Sequence, residues 1–171
     1  MRFGIIDIGS NSIKLLVAES GSSLAMRYEK TWETRIGTGI GRTPPYLPRE
    51  AIEDGVTAIQ ALLKEAGNYD VERYFMVATA AVREASNRQA FVDRVLEVTG
   101  HRLRVLSEDE EAAYIGYGIM SDPVLSELND FHLIDLGGGS LEMIHVRDRK
   151  IVQKVSIPCG AVRMCEACLR N

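Results

Sequence analysis

Cysteine is scarce in this chain: its 171 residues include three, Cys159, Cys165 and Cys168, all near the end. An odd number of late cysteines makes no disulfide framework and fits reduced thiols in the cytoplasm. Cys165 and Cys168 are spaced like half of a zinc site, but no second cysteine pair or nearby histidine supplies the other ligands. The histidines, His101, His132 and His145, are scattered and support no catalytic constellation. Long apolar runs are missing too, since none nears the ~20 residues that cross a bilayer. The apolar start is short and broken by Asp7, unlike a signal peptide. Positive charge is not in excess: the net charge is −4, so neither nucleic acid nor an anionic membrane is expected as a partner. There is no GxSxG element and no P-loop lysine string.

What the chain does contain is one segment written twice. Residues 3–18 read FGIIDIGSNSIKLLVA and residues 131–146 read FHLIDLGGGSLEMIHV. At an offset of 128 positions Asp135 falls on Asp7, Gly137 on Gly9 and Ser140 on Ser12, with no gap. Each copy is an apolar run, an Asp, a turn of small residues and a second apolar run. Two strands joined by such a turn let backbone N–H groups converge on an anion. Two copies suggest two similar lobes facing a phosphate, with Asp7 and Asp135 placed to hold a metal between them. A dinucleotide fold needs a helix after Gly137-Gly138-Gly139, and LEMIHVRD alternates like a strand instead.

The remaining pattern is read in order. RFGIIDIG, SIKLLVAES and SSLAMRYEKTWETRIG form a three-strand meander with Gly21 at its second turn. Arg35 to Pro48 is a Gly/Pro-rich stretch, and Gly37 to Gly41 reads as a flexible loop that could lie over the cleft. Pro48 starts a helix carrying Ile52, Val56, Ile59, Leu62 and Leu63. RYFMVATAAVRE is a strand running into a loop, Ser86 can cap a helix through Phe91, Val95 and Leu96, and RLRVLS is a short strand. Ser107 and Glu110 make a capping box for the next helix. After the second repeat come the strand KIVQKVSIP and the helix AVRMCEACLR.

This order predicts an α/β chain of ribonuclease H-like, actin-like topology: a first lobe, βββαβαβα, over residues 1–125, and the start of a second over 126–171. A complete second lobe needs roughly as many residues as the first, so the second reads as unfinished, and an unfinished sheet invites pairing with another copy in a dimer. Arg83 ends a buried strand, where open α/β sheets place ligands, and either binds phosphate or pairs with Glu84 or Asp93. Glu108 to Glu111 suit the helix dipole, and Glu111, beside the small pair Ala112-Ala113, has room to act as a base.

IDIGSNSIKLLV, TRIGTGI, VATAAVREASN, SEDEEAAYIGYG, IDLGGGSLEM and VSIPCGAVRMCE, in that order, resemble the exopolyphosphatase/guanosine pentaphosphate phosphohydrolase family along nearly the whole chain. The resemblance implies a two-lobed hydrolase that uses Mg²⁺ to release the terminal phosphate of polyphosphate or the 5′-phosphate of guanosine pentaphosphate. It implies phosphate binding by Ser10, Asn11 and Ser12 from one lobe, by Gly138, Gly139 and Ser140 from the other, and by Arg83. It makes Glu111 the general base, with Glu110 as fallback, and Asp7, Asp135 and Glu142 the Mg²⁺ ligands, directly or through water. The rival functions are an actin-like ATP-dependent kinase, which needs an adenosine pocket in the second lobe, and a non-catalytic phosphate- or alarmone-binding module.

Overall fold

Alternating apolar residues build the first sheet. In the computed structural model, which describes residues 1–21 and 24–169, β1 (Arg2–Ile8), β2 (Ser12–Ser20) and β3 (Leu24–Glu33) form an antiparallel meander. Ser22, Ser23 and Arg170, expected at the start of the third strand and the end of the last helix, lie outside the described residues. α1 (Arg49–Ala66) crosses over to β4 (Arg73–Ala78), which runs parallel to β1, and β5 (Leu103–Val105) runs parallel to β4. The strand order β3-β2-β1-β4-β5 is the expected ribonuclease H-like, actin-like arrangement. Between β4 and β5 lie α2 (Ala80–Glu84) and α3 (Arg88–Thr99). The expected loop after β4 is thus a short helix. α3 starts after Asn87 rather than Ser86, with no side-chain cap.

One face of this sheet makes the main core. Ile6, Ile8, Ile13, Leu15 and Val17 point to it, against Ile52, Val56, Ile59 and Leu62 of α1 and Phe91 and Val95 of α3. Burying each such side chain is worth about 1.5–3 kcal/mol. The residues that alternate with them, including Ile5, Asp7 and Lys14, line a cavity on the other face.

α4 (Glu108–Met120) opens with the expected capping box and leads to the second sheet. That sheet is β6 (Asp130–Leu136), β7 (Leu141–Arg147) and β8 (Lys150–Ile157), a meander in sequence order. α4 packs on one of its faces, where Ala112 meets Ile144 and Val146 in a small core. A Cβ on Gly116 would lie 2.7 Å from Cδ1 of Ile151, so glycine lets helix and strand approach. The opposite face leaves Ile134, Met143, Val155 and Ile157 exposed. α5 (Ala161–Leu169) follows β8 and turns back onto the first lobe. Among the described residues no helix is long and apolar enough to cross a membrane.

Candidate active site

The two repeats fold alike. In each, the glycine N–H that follows the strand donates to the serine carbonyl across the turn: Gly9 to Ser12 and Gly137 to Ser140, both at 3.0 Å. The two turns touch, since a Cβ on Gly139 would lie 2.7 Å from Ser10 Oγ and one on Gly138 would lie 3.2 Å from Asn11 N.

The carbonyls of both turns are held from outside. Gly37 N donates to Ser10 O at 2.8 Å, and Thr34 N and Arg35 N donate to Asn11 O. Ala161 N and Val162 N, the first donors of α5, reach Gly137 O and Gly138 O at 2.9 Å each. In a trans peptide the carbonyl and the next N–H point in opposite directions. Holding these oxygens therefore turns the N–H groups of Asn11, Ser12, Gly138 and Gly139 away from their holders. Among the described residues, the N–H groups of Ser10, Asn11, Gly138 and Gly139 have no protein acceptor. Ser10 Oγ is buried without a partner. The stretch Gly37 to Gly41, expected as a flexible cover, is a packed brace: Ile36 and Ile40 are buried in the core.

A cavity of about 860 Å³ opens beside the turns and is lined by residues of both, by Asp7, Lys14, Glu111 and Asp135, and by no residue of α5. Arg83, on α2, pairs with Glu111 on α4: Nη1 to Oε2 is 2.6 Å, with the side chains 11% and 13% exposed. The partner that sequence proximity suggested, Glu84 or Asp93, is not the one Arg83 takes. Arg83 Nη1 also reaches Leu106 O at 3.3 Å, while Nε and Nη2 are buried without partners. A buried donor left unmatched costs about 1–3 kcal/mol, more when charged, so an anion is the expected match.

Burial pushes the Glu111 carboxyl above the usual range; the Arg83 bond draws it back, and the charges of Glu142 and Asp7 push it up again. Asp7 is also raised, mainly by burial, with Lys14 lowering it and Asp135 raising it. Glu110, the alternative base, is spent on the cap: it accepts from Ser107 N at 2.9 Å and pairs with Arg104, which together hold its carboxyl low.

Asp135 and Glu142 are direct cross-strand partners. Glu142 is 1% exposed and accepts from Ser156 Oγ at 2.7 Å, behind the cavity wall rather than on it. Among the described residues no three His, Cys, Asp or Glu side chains converge closely enough to hold a metal by themselves. Asp7 and Asp135 still fit a hard cation. They repel each other across the cleft, a cation would relieve that, and Mg²⁺ keeps several waters and phosphate oxygens beyond one or two carboxylates.

Lys14 was missed as a site residue, although it lies opposite Asp7 in register, on the same face. Gly160 was missed as well: a Cβ there would lie 2.3 Å from the carbonyl carbon and oxygen of Gly138. A glycine one residue before a helix was its only signal.

The sequence pattern of the Ppx/GppA phosphatase family matches residues 15–171. Exopolyphosphatase 2 of Mycobacterium tuberculosis is 33% identical over 180 residues, covering 99% of this chain and 56% of that protein. Among solved structures, an exopolyphosphatase from Cytophaga hutchinsonii superposes with a TM-score of 0.90 at 25% identity, over 98% of this chain and 53% of that one. The Aquifex aeolicus Ppx/GppA protein gives 0.81 at 30% identity, over 97% and 54%. The chain spans a little over half the length of these three relatives. With the duplicated turns, the buried Arg83–Glu111 pair and this match along most of its length, the chain belongs to the Ppx/GppA phosphatase family.

Proposed function

We propose that this chain carries the phosphate-binding centre of a Mg²⁺-dependent phosphoanhydride hydrolase, acting on the terminal phosphate of polyphosphate, the 5′-phosphate of guanosine pentaphosphate, or both. The observation that supports it is that Glu111 lines the same cavity as two turns with unpartnered backbone donors and is paired there with Arg83, which stands just behind the lining with two unmatched nitrogens.

The N–H groups of Ser10, Asn11 and Ser12 bind the oxygens of the reacting phosphate from one side, and those of Gly138, Gly139 and Ser140 from the other. Arg83 adds its unpartnered Nε and Nη2 where charge develops in the transition state. Glu111, ionised, takes a proton from the water that attacks phosphorus, and the bridging oxygen leaves with the shortened chain. Asp7 and Asp135 would hold Mg²⁺, and Glu142, buried behind Asp135, would reach it only through water. An ion held there would supply neutralisation of the charge on the phosphoryl oxygens. The three free thiols fit a cytoplasmic enzyme.

Phosphate release from polyphosphate and from guanosine pentaphosphate, with Mg²⁺ and with a chelator, tests the reading and separates the two substrates. Release from neither, with Mg²⁺ present, would refute it.

A further inference from the structure

Arg163, in the first turn of α5, touches three separate pieces of the site's framework. Its Nη2 lies 2.7 and 2.8 Å from the two carboxylate oxygens of Glu84, the last residue of α2 and the neighbour of Arg83. Its Nε donates to Gly139 O in the second turn at 3.1 Å. Its Nη1 reaches Ile40 O, in the segment that braces Ser10, at 3.4 Å. The two side chains are 20% and 24% exposed and neither lines the cavity.

We propose that Arg163 and Glu84 are positioning residues that fix the spacing of the two phosphate-binding turns and the aim of Arg83. This rests on the hydrolase reading above. By holding Gly139 O, Arg163 turns the Ser140 N–H the other way. α2 has five residues, too few to be stable through its own hydrogen bonds, so outside contacts set its direction. Glu84 supplies such a contact at its last turn, and the direction of α2 decides where the Arg83 guanidinium lies. A planar guanidinium can serve Glu84 and the Gly139 carbonyl together in fixed geometry; a single ammonium cannot.

Arg163→Lys keeps the charge opposite Glu84, and Glu84→Gln keeps the shape. With tripolyphosphate and Mg²⁺, each lowers kcat about ten- to a hundredfold, the scale of a ~1 Å misplacement, with a smaller rise in KM. The acid limb of the pH profile moves to higher pH as Arg83 slips from Glu111. Each variant keeps its Tm within about 2 °C, the equivalent of roughly 1 kcal/mol or less. Unsubstituted turnover in Arg163→Lys, an unmoved pH limb, or losses that come only with a fallen Tm would overturn the proposal. If the unsubstituted protein releases no phosphate, the hydrolase reading fails by itself. Tripolyphosphate affinity by calorimetry then decides the positioning: weaker binding by Arg163→Lys upholds it and equal binding overturns it.

Discussion

Arg83 and Glu111, 28 positions apart in sequence, form a 2.6 Å ion pair that uses one guanidinium nitrogen and leaves two buried and unmatched. The pair joins a strand-end helix to the first turn of α4. It places the candidate base and the candidate phosphate ligand side by side.

Glu111→Gln keeps the shape of the side chain and removes the base. In a phosphate-release assay kcat should fall by about 10²–10⁴, with tripolyphosphate binding retained. Turnover close to that of the unsubstituted protein would eliminate Glu111.

The pH dependence follows from the same residue. Glu111 must be ionised to act and its carboxyl is raised, so the acid limb of kcat/KM lies above the usual carboxylate range. Arg83 pulls that carboxyl down, so Arg83→Ala should move the limb to still higher pH as well as lower the rate. A limb that stays put would separate Glu111 from the titration.

Asp7 is raised by burial and by Asp135, so holding it ionised opposes folding. For an acid raised in the folded state that penalty is absent at low pH and present above the folded pKa. Without Mg²⁺, Asp7→Asn should therefore raise Tm at neutral pH, and the gain should fade towards pH 4. With Mg²⁺ the gain should shrink, because the pair then has its counter-ion. If Asp7 and Asp135 share one ion, the losses of Mg²⁺ response in Asp7→Asn and Asp135→Asn should be less than additive in the double variant. Clean additivity would put them at separate sites.

The second sheet exposes Ile134, Met143, Val155 and Ile157 on one face. A contiguous apolar face of this kind seeks a partner. Light scattering should give a mass above the 18.9 kDa of one chain, most simply a dimer. A monomer at high concentration would show that the face tolerates water.

The repeat was legible because it is local: each turn is encoded within a dozen residues, and the meander order follows from the same segments. The commitment of Glu110 to the helix cap was legible, since the capping box claims the side chain three residues after Ser107. α2 was not, because five residues show no helical period, and ATAAVRE continues a buried strand just as well. The partner of Arg83 was hidden for another reason. Nearness in sequence favoured Glu84, but Glu84 faces α5 and pairs with Arg163, 79 positions away. The bracing role of Gly37 to Gly41 was hidden too, because glycine-rich composition reads as a free loop until Ile36 and Ile40 are seen in the core.

The unpartnered donors of the two turns belong to the main chain, and that makes them silent in an alanine scan. Trimming Asn11 or Ser140 changes a side chain and leaves every N–H in place, so such a scan would miss this part of the site. The changes that reach it lie in the residues holding the carbonyls. Ala161→Pro suits the first position of a helix yet deletes the N–H that holds Gly137 O, which frees the Gly138 peptide to rotate. Gly160→Ala pushes a methyl into the Gly138 backbone, an overpacking worth about 1–3 kcal/mol. The residues that matter most for gripping the substrate would then be ones that never come near it.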